Sequence, residues 1–415
     1  MRMTLPSKGR SHDSVLAEMR ALKTGDADWQ HGRVPLFVFK ASDELSRLGR
    51  DAFLEFFSEN ALGGKRAFPS VKRMEDEVVE MALGLFNAPA EAQGFMSTGG
   101  TESIIQAVQT CRDWNRKRRG DARHRGNLVL PHSVHPAFNK AGKLMDLEVR
   151  RVPVGPDFRA DVAALDAAID ADTIMLVGSA PSFPYGAIDP IAELGRLAER
   201  RGVWLHVDAC VGGYLAPFVR QIGREIPDFD FTVPQVASLS ADLHKFGFCP
   251  KPASTVFYRD ADKAQHHYFD FSDWPSGRFL TGTLVGTRPA GGVAGAWATF
   301  QYLGVDGYRA IAAQLMEFVD AYKRGIEAIP GLYVLGKPHL SIVAFGSDEV
   351  DVFRVAEVME RRGWLAGLVQ RPKAIHRMMS MIQAPVLNEY LDEVKAALQV
   401  VRAEGAKAAG IEATY

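Results

Sequence analysis

Between residues 101 and 207 the chain alternates helix-type and strand-type segments with little else between them. Helical spacing over 101–118 precedes a strand pattern at 127–130, and 137–145 precedes 147–152. Likewise 161–170 precedes 173–179, and 190–201 precedes 203–207. Successive parallel strands need a crossover, usually a helix, so this alternation predicts an α/β fold: a mostly parallel sheet with helices on both faces. Ligands in such sheets lie at the carboxyl ends of the strands. The residues that close each strand are therefore the first candidates for chemistry.

The flanks read differently. Residues 1–40 form an arm with little periodicity. Helical patterns follow at 43–58 and 71–87; in the second, Val71, Met74, Val78, Met81, Ala82 and Leu85 make a stripe at helical spacing. After about residue 290 comes a long helical region, 291–329, broken near Gly304. Strands near 332–335 and 340–346, a helix at 350–362, strands near 364–370 and 375–381, and a final helix at 386–408 follow. This is the pattern of a small α+β domain. With 415 residues the chain has room for a large domain and a satellite. The expected division is an arm and helix at 1–60, a large domain at 61–305 and a small C-terminal domain at 306–415.

Two strand ends stand out. Val203-Trp-Leu-His-Val-Asp208 closes on a carboxylate, and Ser238-Leu-Ser-Ala-Asp-Leu-His-Lys245 carries a lysine just past a short strand. A lysine and an aspartate so placed suit pyridoxal 5'-phosphate (PLP). The lysine holds the aldehyde as a Schiff base, and the aspartate keeps the pyridine nitrogen protonated so that the ring accepts electrons. Upstream, Ser97-Thr-Gly-Gly-Thr-Glu-Ser103 opens a helix. Gly99 and Gly100 allow close backbone approach to an anion, the helix N-terminus binds phosphate, and Thr101 adds a hydroxyl. By itself this run is also an ordinary helix start; beside Asp208 and Lys245 it reads as a phosphate site.

Other residues are open to two readings. His135, after the strand at 127–130, either stacks on the pyridine face or is a satisfied structural histidine. His206 shares a sheet face with Asp208, so it either orients the aspartate or touches the cofactor, or is purely structural. His244 adjoins Lys245 and is placed to donate to the PLP phosphate. Lys251 either binds a second phosphate, on the substrate, or is a solvated loop lysine. The Gly286-Thr287 turn either caps a helix or contacts phosphate from a partner subunit.

Taken together, the Ser-x-Gly-Gly-Thr-Glu-Ser, His-Val-Asp-Ala-Cys, Ser-Ala-Asp-x-His-Lys and Gly-x-Arg-Pro runs resemble the sphingosine-1-phosphate lyase group of the PLP-dependent group II decarboxylases, fold type I. Phe183-Pro-Tyr-Gly-Ala-Ile-Asp-Pro190 and Gly295-Ala-Trp-Ala298 extend the match over about residues 60–400. The resemblance implies a homodimer with shared active sites, Lys245 as Schiff-base lysine, Asp208 on the pyridine nitrogen and His135 on the ring. It implies PLP-phosphate contacts from Gly99, Gly100, Thr101 and His244, with Gly286-Thr287 given by the other chain, and Lys251 near the substrate phosphate. The implied reaction is retro-aldol cleavage of a phosphorylated long-chain amino alcohol to an aldehyde and phosphoethanolamine. Lys245, His135 or a bound water would carry protons, and the alternatives are amino-acid decarboxylation or a non-catalytic PLP-binding role. The chain departs from the pattern at Asn60-Ala-Leu-Gly-Gly-Lys-Arg-Ala67, where a histidine-containing stretch is usual, at Phe279 for a tyrosine, at Gly282 for a proline, at Pro252 for a glycine and at Tyr185 for a histidine. No tyrosine precedes Tyr185, so an N-terminal active-site tyrosine has no counterpart.

Bulk properties narrow the partners. A net charge of −1 gives no reason to expect nucleic acid; the run Arg116-Lys-Arg-Arg119 suits a helix C-terminus. The apolar runs are too short to span a bilayer. Three cysteines, Cys111, Cys210 and Cys249, make neither a paired framework nor a zinc site, so no metal and a reducing cytoplasm are expected.

Overall fold

The structure, a computed structural model, describes residues 2–405 and 409–414. Seven strands form the large sheet: β1 (Gln93–Ser97), β2 (Asn127–Pro131), β3 (Glu148–Val152), β4 (Thr173–Ser179), β5 (Trp204–Asp208), β6 (Val236–Ala241) and β7 (Ser254–Tyr258). Their order is β1-β7-β6-β5-β4-β2-β3. Pairs β2–β3, β2–β4, β4–β5 and β5–β6 are parallel. The β6–β7 and β1–β7 pairs are antiparallel. The mostly parallel α/β sheet expected from the alternation is therefore present, with an antiparallel edge made by two strands that the alternation does not announce.

Helices α1 (His12–Leu22), α2 (Asp43–Glu55) and α3 (Pro69–Leu85) precede or flank this sheet. Within it run α4 (Gly100–Arg119), α5 (Ala137–Met145), α6 (Val162–Ala168), α7 (Ile191–Arg201) and α8 (Ala216–Gln221). Their caps follow local chemistry. Asp161 accepts from Ala164 N–H at the start of α6. Gly120, at φ 67°, ends α4 just after Arg116, Lys117, Arg118 and Arg119, which complement the helix dipole.

The arm is more ordered than its composition suggests. Ser11 caps α1, accepting from Ser14 N–H, yet the helix buries none of its side chains, which is why hydrophobic periodicity does not reveal it. In α3 the buried face is Val71, Val78, Val79, Ala82 and Leu83. Met81 is exposed instead, so the core stripe is rotated from the expected one.

Beyond β7 lie α9 (Ala261–Ala264), a hairpin of β8 (Phe269–Phe271) and β9 (Phe279–Thr281), and α10 (Ala290–Glu327). Gly304 breaks α10 with φ 51° and ψ −170°, where a side chain would be strained. A second sheet, ordered β10-β11-β13-β12, comprises β10 (Tyr333–Val334), β11 (Ile342–Gly346), β12 (Gly367–Gln370) and β13 (Lys373–Met378). Helices α11 (Val352–Arg361) and α12 (Leu387–Glu404) complete it; the last residues of the expected final helix, 406–408, lie outside the described residues. The segment after β4 meets the second sheet at Gly186, where an added Cβ would lie 2.0 Å from Ile342 O.

Candidate active site

The parallel register fixes the first half of the site. Ser179, Asp208 and Ser240 lie side by side at the carboxyl ends of β4, β5 and β6. Asp208 is 7% exposed, and its Oδ1 accepts from Cys210 N–H at 3.1 Å. Lys245 follows β6 in a tight turn. His244 clips that turn to the start of β7: its N–H donates to Ala253 O at 3.0 Å, and its Nδ1 accepts from Ala253 N–H at 3.3 Å. Tyr308 of α10 donates to Gly247 O at 2.8 Å from the other side.

A cavity of about 400 Å3 opens here. Gly99, Gly100, Thr101, His135, Asp208, His244 and Lys245 all line it. These seven expected site residues, drawn from four separate sequence segments, are thus brought together. The start of α4 supplies unpaired N–H groups. Gly100 has no room for a side chain, since a Cβ would lie 2.8 Å and 2.9 Å from the Asp242 carboxylate oxygens; at Gly99 the nearest atom is His244 Cε1 at 3.8 Å.

Glu102 fastens this helix start. Its Oε2 accepts from Thr98 N–H at 2.8 Å and from the Thr98 hydroxyl. Its Oε1 accepts from Leu284 N–H at 2.9 Å. His135 stands at the entrance to α5, where its Nδ1 accepts from Ala137 N–H at 3.2 Å. In the neutral ring the proton then sits on Nε2. Burial holds the His135 pKa below the usual histidine value; Asp208 and Asp242 oppose that shift and Lys245 adds to it.

Asp242 is a member of the site that reading the sequence missed. Its Oδ2 lies 2.9 Å from Lys245 Nζ. The only signal was its place three residues before the lysine, within the Ser-Ala-Asp-x-His-Lys run. Burial disfavours charge on both groups, but their mutual attraction wins, with His244 and Ser254 also favouring the carboxylate. The Asp242 pKa falls below and the Lys245 pKa rises above the ordinary values.

Three expected contacts lie elsewhere. His206 is fully buried, with Nδ1 2.7 Å from Ser238 Oγ and Nε2 3.2 Å from Ser240 Oγ. It does not line the cavity, because two residues along a strand carry it one layer below Asp208. Gly286 lines a second cavity, of about 570 Å3, with Lys65, Arg66, Arg278, Phe279 and Arg288; neighbouring Thr287 accepts from Asn60 Nδ2 at 3.1 Å. Within one chain this turn does not reach Lys245. Lys251 is exposed and lines neither cavity, with its ammonium 6.0 Å from the Phe39 ring. Lys251 and the Lys65-Arg66 pair therefore do not share a pocket within the chain.

The pyridoxal-dependent decarboxylase conserved domain matches residues 3–347. The chain belongs to the pyridoxal-dependent decarboxylase family. Within that family it falls in the sphingosine-1-phosphate lyase group. It is 40% identical to a sphingosine-1-phosphate lyase of Oryza sativa subsp. japonica, over 97% of this chain and 75% of the relative. A probable L-aspartate decarboxylase of Pyrococcus furiosus is 31% identical over 87% of this chain and 94% of its own. Among solved structures, a sphingosine-1-phosphate lyase of Burkholderia pseudomallei superposes with a TM-score of 0.92 at 36% identity, covering 97% of this chain and 94% of that one. Glutamate decarboxylase of Lactobacillus brevis, at 19% identity and a TM-score of 0.84, shares the fold.

PLP is the cofactor of this family member, and the cavity fits it. Its lining brings an amine, a carboxylate and imidazoles together with a glycine-lined helix start and a hydroxyl. These are the groups that an aldehyde, a pyridine nitrogen, an aromatic ring and a phosphate require.

Proposed function

We propose that this protein is a PLP-dependent carbon–carbon lyase that cleaves a phosphorylated long-chain amino alcohol to a long-chain aldehyde and phosphoethanolamine. The observation that carries the reading is the meeting of Asp208, Lys245 and the Gly99-Gly100 helix start in one cavity. The choice of reaction is supported by the near full-length likeness to sphingosine-1-phosphate lyases.

In this reading Lys245 binds the aldehyde of PLP, Asp208 holds a proton at the pyridine nitrogen, and His135 orients the ring. Gly99, Gly100, Thr101 and His244 bind the phosphate. When bound, PLP supplies an electron sink for the pair released as a bond to the amine-bearing carbon breaks. The chain must then take a proton from the neighbouring hydroxyl and return one to the carbon left behind. His135 Nδ1 is occupied by Ala137 N–H, so the ring presents Nε2–H. That leaves Lys245 Nζ as the better proton carrier. Lys251 binds the substrate phosphate as a cation.

The reading includes a homodimer with shared active sites, each Gly286-Thr287 turn serving the partner's cofactor. Supporting it, Phe269, Phe271, Trp274, Leu280, Leu284 and Val285 expose their apolar side chains along one short segment before that turn. A cytoplasmic location fits the three free, buried cysteines.

Decarboxylation of an amino acid is the second reading, favoured by the likeness to the Pyrococcus furiosus protein. Incubation with a phosphorylated sphingoid base is expected to yield fatty aldehyde and phosphoethanolamine. Release of carbon dioxide from aspartate, glutamate or an aromatic amino acid, with no aldehyde from the sphingoid base, would replace the lyase reading by the decarboxylase one.

A further inference from the structure

Besides Asp208 the cavity is lined by two further carboxylates, Glu102, which is tied to Thr98 and Leu284, and Asp242. Asp208 closes β5, and Asp242 lies across the cavity floor, its side chain 2% exposed. An isolated charge at that depth is costly unless partners compensate it, and here the compensation is built in. Lys245 Nζ lies 2.9 Å from Oδ2, and Ser254 Oγ donates to Oδ1 at 2.5 Å. Behind Ser254 the hydroxyls continue, with Ser103 Oγ at 2.9 Å and Ser97 Oγ 2.7 Å beyond it. The Asp242 N–H donates to Cys210 O at 3.3 Å. Gly100 leaves the space that the carboxylate oxygens occupy, since a Cβ there would meet both of them.

We propose that Asp242 is a positioning residue that docks the free amine of Lys245 in the cavity as an ammonium and gates its capture of PLP. The inference rests on the cofactor site, not on the choice of substrate. Capture needs a neutral amine. A proton must leave Nζ for solvent hydroxide, breaking an N–H bond and forming an O–H bond of water, and the ion pair with Asp242 opposes that loss. The amine then condenses with the aldehyde carbon, a C=N bond forms, and the aldehyde oxygen leaves as water. Asp242 is thus the anchor that keeps the amine charged and slows its capture of the aldehyde.

The groups facing Asp242 come from every element around it. Lys245 and His244 belong to its own turn, and Asp208 and Cys210 to the end of β5. Ser254 belongs to β7, the Gly100 backbone to α4, and His135 lies across the cavity. Lys245 is the cation that does most to hold the carboxylate charged, while burial keeps the His244 pKa below the usual histidine value. Burial opposes charge on Lys245, and Asp242 is foremost among the groups that together outweigh it.

The test uses the full chain freed of PLP. Reductive methylation with formaldehyde and borohydride across a pH series, read peptide by peptide, follows each lysine separately. Lys245 is expected to react with an inflection at higher pH than exposed Lys65. In Asp242→Asn the Lys245 inflection should fall by at least one pH unit while Lys65 stays in place. PLP capture at pH 7, followed by its visible band, should then be several-fold faster than in the parent. A Lys245 inflection at or below that of Lys65 in the unmodified chain overturns the proposal, even if the variant does not fold. So does an inflection that Asp242→Asn leaves unmoved, since a merely structural aspartate would change stability and not the amine's ionisation. Absence of any visible band in the parent would instead strike at the cofactor site itself.

Discussion

Glu102 joins Thr98 in the glycine-rich turn to Leu284, 182 residues further along, through one carboxylate. This links the proposed phosphate cradle of one active site to the turn that carries Gly286 and Thr287. Hydrogen bonds to a charged group contribute about 1.5–3 kcal/mol each. Glu102→Ala is therefore expected to weaken PLP retention about tenfold or more, measured by titrating the apoprotein with PLP. An unchanged affinity would show that neither turn depends on the clamp.

Gly100→Ala tests the closeness of the helix start to Asp242. The new Cβ meets two carboxylate oxygens and Cys210 Sγ, the three within 2.8–2.9 Å. Overpacking of this kind costs about 1–3 kcal/mol. A lowered melting temperature together with loss of PLP binding is expected in parallel calorimetry and absorbance measurements.

For the chemistry, Lys245→Ala should abolish the visible band of lysine-linked PLP and leave the cofactor loosely held. Asp208→Ala should keep the lysine linkage, bind PLP more weakly and lose nearly all turnover. Parent-like rates in Asp208→Ala would remove the role assigned to that carboxylate.

Lys251 distinguishes a phosphorylated substrate from a plain amino acid. Partial burial, and then the charge of Lys245, lower its pKa. Lys251→Ala should raise KM for the phosphorylated substrate at least tenfold with little change in kcat. Equal effects on a substrate lacking the phosphate would assign Lys251 to the loop alone.

Stability should fall on mild acidification. Burial depresses His206, His267 and His376 to about 4. The unfolded chain takes up these protons near pH 6.5 and the folded chain does not. Stability is therefore fully present above that pH and lost as pH falls toward 4. Each such histidine contributes a slope approaching about 1.4 kcal/mol per pH unit. Melting temperatures measured from pH 7 to pH 5 should decline, and less steeply in His206→Gln.

Local chemistry made the centre of the site legible in the sequence. Asp208, Lys245, Gly99 and Gly100 each end a strand or open a helix, and such positions converge in a parallel sheet whatever its loops do. His206 shows the limit of that logic. Alternation assigns a face, but a strand rises about 3.3 Å per residue, so two residues separate the cavity floor from the interior. Asp242 was hidden for a different reason. Its hydroxyl partners Ser97, Ser103 and Ser254 are scattered over more than 150 residues and become neighbours only when β1, α4 and β7 pack. The helix at His12–Leu22 and the short β8–β9 hairpin left no trace because they bury little.

The register that sets Asp208 beside Ser240 makes the distance between that carboxylate and the strand leading to Lys245 a property of two hydrogen-bonded backbones. Loop changes at 60–67, at Pro252 and at Phe279 leave that spacing alone. The fold thereby separates two kinds of evolutionary change. A substitution in the loops can alter the mouth of the cavity, while one in β5 or β6 would move Asp208 relative to the turn that holds Lys245.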